Sequence, residues 1–305
     1  MLIKSADDHS EDMAELNALL VEPNLTPTQK RHVQEELWNL EKGAWGEQRA
    51  AYFIDFRFAK VRNNIVLHDL RLVPSDGSGV AQIDHLIINR MMFIFVLESK
   101  NWNQLTVDET GACTTWAGRN IGVESPLQQC KRHAVVLAEI FRERPQLKAL
   151  APRYEIVTKV LLAPSCNLRA PHHKESYVKA DHFSEAFDKE FDDASFVKAI
   201  LGLSRNVSHE TLVKIGRELE TLHQPARIDW RAKFGLPPLA PKGLIPANKV
   251  VASIAGLADY VPKWGEDWFV LKGEPTDATK KRIKASGYRA KNENGEWVWR
   301  FRAPN

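Results

Sequence analysis

Cysteine is scarce in this chain, and the three that occur form neither a pair nor a metal-binding pattern. Cys113, Cys130 and Cys166 are widely spaced and odd in number, which excludes a disulfide framework and argues against a zinc site. No apolar run approaches the ~18 residues of a membrane span, and acids stand where a signal peptide would carry its apolar segment. We therefore expect a cytoplasmic protein without a membrane partner.

An excess of charge of one sign is also lacking, since the 305 residues carry a formal net charge of only +3. Binding to nucleic acid would therefore depend on local clusters of basic residues. The candidates are Lys131-Arg132-His133 and the run from Lys280 to Lys284, although each is equally consistent with the solvated face of a helix. The hydrophobic content of 44% is ordinary for a globular protein, and the length predicts a main domain plus a smaller one.

Two consecutive strand-like runs carry the most informative residues. Ala81 to Asn89 and Met92 to Lys100 are rich in β-branched and aromatic residues and are separated by a short turn signal. Side chains alternate along a strand, so Glu98 and Lys100 share a face, and Asp84 on the neighbouring strand can reach them. Carboxylates suit Mg²⁺ or Mn²⁺, and a lysine beside them can orient water or offset charge on a phosphate. This combination favours phosphodiester hydrolysis.

Four sequence blocks in this order resemble the nuclease-related domain (NERD) family of the PD-(D/E)XK nuclease superfamily. They are Gly43-Ala44-Trp45-Gly46-Glu47, the stretch from Gln82 to Ile88 around Asp84, Glu98-Ser99-Lys100, and Pro126-Leu127-Gln128-Gln129 followed by His133. The resemblance extends over about Leu40 to His223. Ile83 stands where the superfamily usually has proline, which is a mild departure.

The resemblance implies an α/β fold with a restriction-endonuclease-like mixed β-sheet core flanked by helices. It implies metal ligands at Asp84 and Glu98 and a catalytic lysine at Lys100. Supporting catalytic positions are Glu47 on the first helix and Gln129 and His133 on a later one. We add Lys131 and Arg132 as candidate nucleic-acid contacts because of their charge.

Each of these residues also has a structural interpretation. Glu98 and Lys100 could form a surface ion pair, and Glu47 could be a solvated helix residue. Gln129 and His133 could tie their helix to the sheet. His85 points away from Asp84 on its strand and is given no catalytic role. Cys130 lies three residues before His133, which leaves a cysteine hydrolase as a remote alternative.

We divide the chain into an N-terminal helical extension (1–42), a NERD-like domain (43–225), a proline-rich linker (226–250) and a small α+β module (251–305). A capping box at Thr26 and Gln29 predicts a helix towards Glu41, and a second helix is expected after Gly43 and Gly46. The remaining predicted elements are strands at Lys60 to Leu67, Arg71 to Pro74 and Tyr154 to Leu162, a hairpin of Leu105 to Val107 with Cys113 to Trp116, a helix from Pro126 to about Arg144, and helices between Asp181 and His223.

The last segment, Trp268 to Phe301, predicts a strand, a helix and further strand structure. Its final run places Trp297, Trp299 and Phe301 on one face. This face is either the core of the module or a platform on which unpaired bases stack.

Together these features predict a nuclease that uses Mg²⁺ or Mn²⁺ and cuts DNA. The resemblance to the NERD family further implies a role in defence against foreign DNA or in repair. The C-terminal module would engage substrate or a partner such as a helicase-like protein, and homo-oligomers are compatible with the sequence. The alternative is a module that keeps the nuclease fold and binds nucleic acid without cutting it.

Overall fold

The computed structural model describes residues 1–192, 206–237, 249–250, 263–265, 267–271, 275–293 and 296–302, except Asn24, Ser78 and Pro152. The chain divides into two compact units, Met1–Trp230 and Arg231–Asn305. Residues 1–42, which the sequence analysis set apart, contribute a strand, a helix and half of a second helix to the first unit. Part of the predicted linker, residues 238–248, lies outside the described residues.

The first unit is built on a six-stranded mixed sheet in the order β1-β2-β3-β4-β8-β10. β2, β3 and β4 form an antiparallel meander, whereas β1, β8 and β10 pair in parallel with their neighbours. The strands are β1 (Leu2–Lys4), β2 (Asn64–Leu72), β3 (Ala81–Asn89), β4 (Phe93–Lys100), β8 (Glu155–Leu162) and β10 (Tyr177–Lys179). A mixed sheet was predicted, and it is confirmed.

Helices cover both faces of this sheet. On one face α2 and α5 pack through Ile54, Phe58 and Phe183 onto β-strand residues such as Phe95. On the other face α3, α4 and α6 enclose a second apolar cluster. The helices of the first unit are α1 (Ser10–Leu20), α2 (Pro27–Phe58), α3 (Pro126–Glu143), α4 (Pro145–Leu150), α5 (Phe183–Asp192) and α6 (His209–Thr221), followed by the short α7 (Trp230–Lys233), which begins at the last residue of this unit. Burial of each large apolar side chain contributes about 1.5–3 kcal/mol, so both faces stabilise the sheet.

A second, smaller sheet in the same unit has the order β7-β6-β5-β9. Its strands are β5 (Gln104–Val107), β6 (Cys113–Trp116), β7 (Asn120–Val123) and β9 (Asn167–Arg169). The predicted β5–β6 hairpin is confirmed, whereas β7 and β9 were missed because strands of three or four residues carry little periodic signal.

The prediction of two helices separated at Gly43 and Gly46 is wrong, because α2 runs without interruption through both glycines. The predicted capping box is present: Thr26 Oγ1 accepts from the backbone N–H of Gln29, whose side chain accepts from the N–H of Thr26. Each glycine costs roughly 1 kcal/mol in a helix. Packing of both halves of α2 offsets this cost, since Val33 and Leu37 are buried before the glycines and further apolar residues after them.

The two predicted strands at Lys60 to Leu67 and Arg71 to Pro74 are a single strand, β2. The pairing of β2 with β3 runs through His68 and resumes at Leu70, so that Asp69 is skipped. Asp69 has a φ of 48°, which places it in the left-handed region, and the pairing register on either side of it is unchanged. The consecutive polar residues His68 and Asp69 were read as a break between strands, whereas both are buried within one.

In its described residues, the second unit contains a four-stranded antiparallel sheet of order β11-β12-β14-β13. It also contains the helix α8 (Asp277–Ala285). The strands are β11 (Lys263–Trp264), β12 (Trp268–Leu271), β13 (Tyr288–Glu293) and β14 (Glu296–Phe301). Trp299 is fully buried against Phe269 and Ile283, and Phe301 packs on Tyr288. The aromatic face is therefore the core of the module, and the base-stacking platform is excluded for Trp299.

Among the described helices, none has the length and apolar character needed to cross a membrane.

Candidate active site

The β3–β4 hairpin brings the predicted acids and the lysine together. His85 pairs with Leu97, so that Asp84 and Glu98 lie beside each other on the face that α3 covers. The backbone N–H of Ser99 donates to Asp84 Oδ2 at 2.7 Å. Lys100 Nζ donates to Glu98 Oε1 at 2.6 Å. The predicted proximity of these side chains is therefore found in the structure, whereas their chemical roles stay predictions.

Both carboxylates are buried, with exposed fractions of 8% for Asp84 and 2% for Glu98. Burial raises the pKa of Asp84 well above its usual range, and the nearby charges of Glu98 and Glu47 raise it further. Burial also raises the pKa of Glu98, although Lys100 opposes the shift. The surface ion-pair interpretation of Glu98 and Lys100 is thus wrong, because Glu98 lies inside the protein.

Lys100 stays protonated in this environment. Burial lowers the pKa of its ammonium group, but the surrounding carboxylates, with Glu98 foremost, together outweigh burial, so the pKa is raised overall. Asp84 and Glu47 act in the same direction. A lysine with a raised pKa can donate hydrogen bonds and offset negative charge, but it is a poor proton acceptor at neutral pH.

His133 on α3 faces the second oxygen of Glu98. Its Nδ1 atom lies 3.7 Å from Glu98 Oε2, which is too long for a hydrogen bond. Both atoms are buried, and neither has a hydrogen-bond partner among the described residues. Burial, together with the charges of Arg132 and Lys100, lowers the pKa of His133 to about 4. We therefore treat His133 as neutral, so that its proximity to Glu98 is not an ion pair.

The other predicted residues of α3 lie further out. Gln129 is half-buried one turn before His133, and in the described part of the chain no hydrogen bond joins its side chain to Asp84 or Glu98. Lys131 and Arg132 are exposed, and Arg132 forms an ion pair with Glu124. The structure thus places His133, but not Gln129, Lys131 or Arg132, directly against the buried carboxylates.

Cys130 does not resemble a nucleophile. Its thiol is buried and donates to the backbone carbonyl of Val96 at 2.9 Å. Burial raises the pKa of this thiol strongly, with Glu98 and Asp84 adding to the shift. A thiolate would be disfavoured here, which argues against the cysteine hydrolase.

Glu47 on α2 connects the hairpin acids to a second group of ligand-type side chains. Burial raises the pKa of Glu47 to about 7, with the charges of Asp69 and, to a smaller extent, Glu98 in the same direction. Each of His9, Glu47 and Asp69 offers one ligand atom, and these three atoms lie within 4.8 Å of one another. They line a cavity of about 360 Å³. The interpretation of Glu47 as a solvated helix residue is wrong.

Gly46 allows α2 to approach the end of β4 closely enough to place Glu47 there. A Cβ atom on Gly46 would lie 2.6 Å from the Cβ of Asn101, a contact that side chains do not make. Asn101 in turn donates from Nδ2 to the backbone carbonyl of Lys42. The second glycine of the Gly-x-x-Gly-Glu block is therefore required by packing.

Comparison with known protein families shows which family the first unit resembles. Residues 42–163 match the family model described as the nuclease-related domain, NERD. This chain contains a nuclease-related domain. The matched range includes β2 to β4, α3 and all the site residues predicted from the sequence. No curated protein and no solved structure matches the chain.

The nuclease-related domain also holds a buried polar network that the sequence analysis did not find. On the face that α2 covers, His68 Nδ1 lies 2.8 Å from His85 Nδ1. His68 Nε2 lies 3.2 Å from Asp55 Oδ1, and His85 Nε2 lies 2.8 Å from Ser99 Oγ. The expectation that His85 is packed away from Asp84 is met, and its two partners, His68 and Ser99, come from the neighbouring strands β2 and β4. The sequence signal that could have indicated this network is a pair of adjacent polar residues, His68 and Asp69, within an otherwise apolar strand.

The hydrogen-bond partners assign the tautomers of both histidines. The carboxylate of Asp55 accepts only, so His68 donates from Nε2 and its Nδ1 atom accepts. His85 therefore donates from Nδ1, and its Nε2 atom accepts from the hydroxyl of Ser99. Burial lowers the pKa of His85 far below its usual value and keeps it neutral. Every nitrogen of both rings has a partner.

The residues of the nuclease-related domain fit a divalent cation. Glu98 Oε2 is buried without a hydrogen-bond partner, and Asp84 and Glu98 repel each other in the absence of a further positive charge. Carboxylate oxygens are the ligands that Mg²⁺ and Mn²⁺ prefer. A cation held by Asp84 and Glu98 would remove both defects.

Proposed function

We propose that this nuclease-related domain is a metal-dependent nuclease that hydrolyses phosphodiester bonds, with DNA as the favoured substrate. One observation carries the proposal. Asp84 and Glu98 are two buried carboxylates with raised pKa values, one of them with an unpartnered oxygen, beside a protonated lysine. Groups that are perturbed by burial and by each other mark catalytic sites more often than structural ones.

Asp84 and Glu98 would hold Mg²⁺ or Mn²⁺, which supplies Lewis-acid stabilisation of the phosphate oxygens and lowers the pKa of bound water. Ser99 fixes Asp84 for this task through its backbone N–H. Lys100 donates to the phosphate oxygens on which negative charge grows while the water oxygen bonds to phosphorus and the bond to the leaving oxygen breaks. Its raised pKa supports this role rather than that of a base.

Glu47 is the candidate proton acceptor. Its pKa of about 7 lies where a group both accepts and releases protons readily at neutral pH. The charges of Glu98 and Lys100 both affect its pKa, which supports its assignment to the same site. We propose that His133 and Gln129 support the ligands or the substrate from α3, and that Lys131 and Arg132 contact the nucleic-acid backbone.

The remaining assignments belong to the same proposal. The nuclease would act in the cytoplasm, in defence against foreign DNA or in repair, and the buried free cysteines are compatible with a reducing compartment. We propose that residues 43–225 form the catalytic domain, residues 226–250 a linker, and residues 251–305 a module that engages substrate or a partner such as a helicase-like protein.

A non-cleaving nucleic-acid-binding module is the second candidate. It is favoured by the hydrogen bond from Lys100 to Glu98 Oε1, which resembles a buried structural ion pair. In that case the acids and the lysine would stabilise the fold and neither would act on a phosphate.

The test is cleavage of supercoiled plasmid and of labelled single strands with Mg²⁺, Mn²⁺ or chelator. The variants Asp84→Asn and Lys100→Met remove a ligand and a cation while keeping the side-chain shape. Lys159→Met is a matched control, because Lys159 is also buried and pairs with Glu190 at 2.5 Å. Metal-dependent cutting that both site variants lose and the control keeps supports the nuclease. Binding without cutting in every condition, equal in all variants, supports the second candidate.

A further inference from the structure

The outer face of α2 carries an unusual set of exposed rings. Trp38, Trp45, Tyr52 and Phe56 have exposed fractions of 58%, 53%, 64% and 85%. Among the described residues, one further aromatic side chain, Trp116, is exposed to a comparable extent. An exposed apolar patch of this kind on a globular protein marks an interaction surface.

These rings alternate with two cations in a regular pattern. The order along α2 is Trp38, Lys42, Trp45, Arg49, Tyr52 and Phe56, with spacings of four, three, four, three and four residues. We call this set the α2 seam. Its mean spacing of 3.6 residues equals the period of the α-helix, so the six side chains form one stripe along a single face that a second helix can cover. Lys42 lies over the ring of Trp38 and Arg49 over that of Trp45, so the stems of both cations extend the apolar strip.

We propose that the α2 seam binds the α2 seam of a second copy of this chain, with the two helices antiparallel. In that arrangement the seam is complementary to itself. Trp38 faces Phe56 of the other copy, Lys42 faces Tyr52, and Trp45 faces Arg49. Each contact is either aromatic with aromatic or cation with aromatic, and no two seam cations oppose each other. A parallel arrangement would instead place Lys42 against Lys42 and Arg49 against Arg49.

The area is sufficient for a specific dimer. Side chains of this size bury about 150–250 Å² each, so their exposed fractions correspond to roughly 500 Å² of ring surface per copy. Two copies would bury about 1,000 Å², which is near the lower limit for specific association. Because such an interface has two-fold symmetry, it closes after two copies and does not propagate into a fibre.

Most of the seam lies apart from the candidate active site, although Arg49 lines a small cavity together with Ser99 and Lys100. Glu47 is nine residues after Trp38, which corresponds to two and a half helical turns, so that it points from the opposite side of α2. A dimer formed through the seam therefore leaves the carboxylates accessible. The proposal does not depend on nuclease activity. The same position argues against a nucleic acid as the occupant, because a convex single helix offers no groove in which bases are enclosed.

The test is the mass of the full chain in solution, measured by sedimentation equilibrium between about 1 and 100 μM. We expect a dimer. Tyr52→Lys places a lysine opposite Lys42 of the other copy and should weaken the dimer at least about tenfold. Adding Lys42→Glu to Tyr52→Lys should restore it, because each new lysine then faces a glutamate. Positions 42 and 52 are almost three helical turns apart in one chain, so the rescue can only arise between copies.

Trp116→Lys is the matched control, since Trp116 has the same exposed fraction as Trp45 and lies in β6. It introduces the same charge and should leave the dimer intact, and circular dichroism checks that each variant is folded. A wild-type monomer at every concentration would overturn the proposal. So would a dimer that Tyr52→Lys does not weaken, or a Tyr52→Lys variant that loses nucleic-acid binding while its mass is unchanged.

Discussion

The two faces of the β3–β4 hairpin hold buried polar groups of opposite character. On the α2 face, His85 and Ser99 belong to a network in which every ring nitrogen has a partner. On the α3 face, Asp84 and Glu98 repel each other, and Glu98 Oε2 has no partner within the described chain. The polar residues of the two faces alternate along the same two strands. The two sets are therefore similar in burial and in position along the chain, and differ mainly in whether their polar atoms have partners.

This difference distinguishes a buried polar network that stabilises the fold from one that is suited to binding a ligand. A satisfied buried network stabilises and orients the elements that it joins. An unsatisfied one costs stability and is retained where a ligand completes it. Ser99 belongs to both, because its hydroxyl bonds His85 and its backbone N–H bonds Asp84. The network thus holds the strand that positions the acids.

The largest expected effect is on hydrolysis. Glu98→Gln should lower the rate by about 10³-fold or more, since it removes a charged ligand from the cation. Ser99→Ala changes the neighbouring side chain on the other face and keeps the N–H that holds Asp84. The Ser99→Ala variant should lose less than about tenfold of the hydrolysis rate. Initial rates of plasmid cleavage measure the effects of both substitutions. Equal losses of rate would show that the two faces do not differ in their importance for hydrolysis.

The α2 face should show the largest loss of stability. His68→Ala leaves the buried Nδ1 of His85 without its partner and removes the packing of a buried ring, and a buried unpaired group costs about 1–3 kcal/mol. We expect a decrease of about 2–4 kcal/mol in the free energy of unfolding, measured in urea. His32→Ala, at an exposed position of α2, should change it by less than about 0.5 kcal/mol. Comparable losses at both positions would show that the network contributes little.

On the α3 face we expect a substitution to increase the free energy of unfolding. Asp84→Asn removes one of the repelling charges and keeps an acceptor for the N–H of Ser99. Without metal it should stabilise the protein by about 1–2 kcal/mol while abolishing cleavage. Urea unfolding in the presence of chelator measures the effect. A destabilised variant would mean that Asp84 is a structural group.

The pH dependence of stability tests Glu47. Its pKa is raised by folding from an ordinary value of 4.5 to about 7. Its folded form therefore binds the proton more tightly, and the stability that this contributes is present below pH 4.5 and is lost as the pH rises through about 7. Glu47→Gln should flatten the decline in unfolding free energy between these values in metal-free buffer. An unchanged slope would place the titration elsewhere.

The smallest effect is spectroscopic. The nitrogen chemical shifts of the imidazole rings distinguish the two neutral tautomers. We expect His85 to carry its proton on Nδ1 and His68 on Nε2. Ser99→Ala should perturb the Nε2 signal of His85 and leave that of His68 unchanged. A His85 ring protonated on Nε2 would reverse the direction of the network.

Much of the site could be predicted from the sequence because its signals are local. Asp84, Glu98 and Lys100 lie on two adjacent strands joined by a short turn, so alternation alone places them together. His9 and Asp69 could not be found in this way, since they reach Glu47 from the N-terminal segment and from a left-handed residue within β2. Long-range contacts of this kind leave no periodic signal.

The fold shows the same limit. The hairpins follow from patterning and the mixed sheet from the family resemblance, whereas the continuity of α2 depends on packing that outweighs two glycines. The strand β1 was missed because its three residues form a strand only by pairing with β2. Tertiary contacts decide both cases.

The central claim is that Asp84 and Glu98 form a cation site, and Mn²⁺ binding followed by electron paramagnetic resonance tests it directly. Titration of the chelator-treated wild-type protein near pH 7.5 should show saturable loss of the free Mn²⁺ signal, with Mg²⁺ competing. Asp84→Asn and Glu98→Gln should each abolish this binding, and Lys159→Met should not. Equal Mn²⁺ binding by wild type and both site variants would contradict the account.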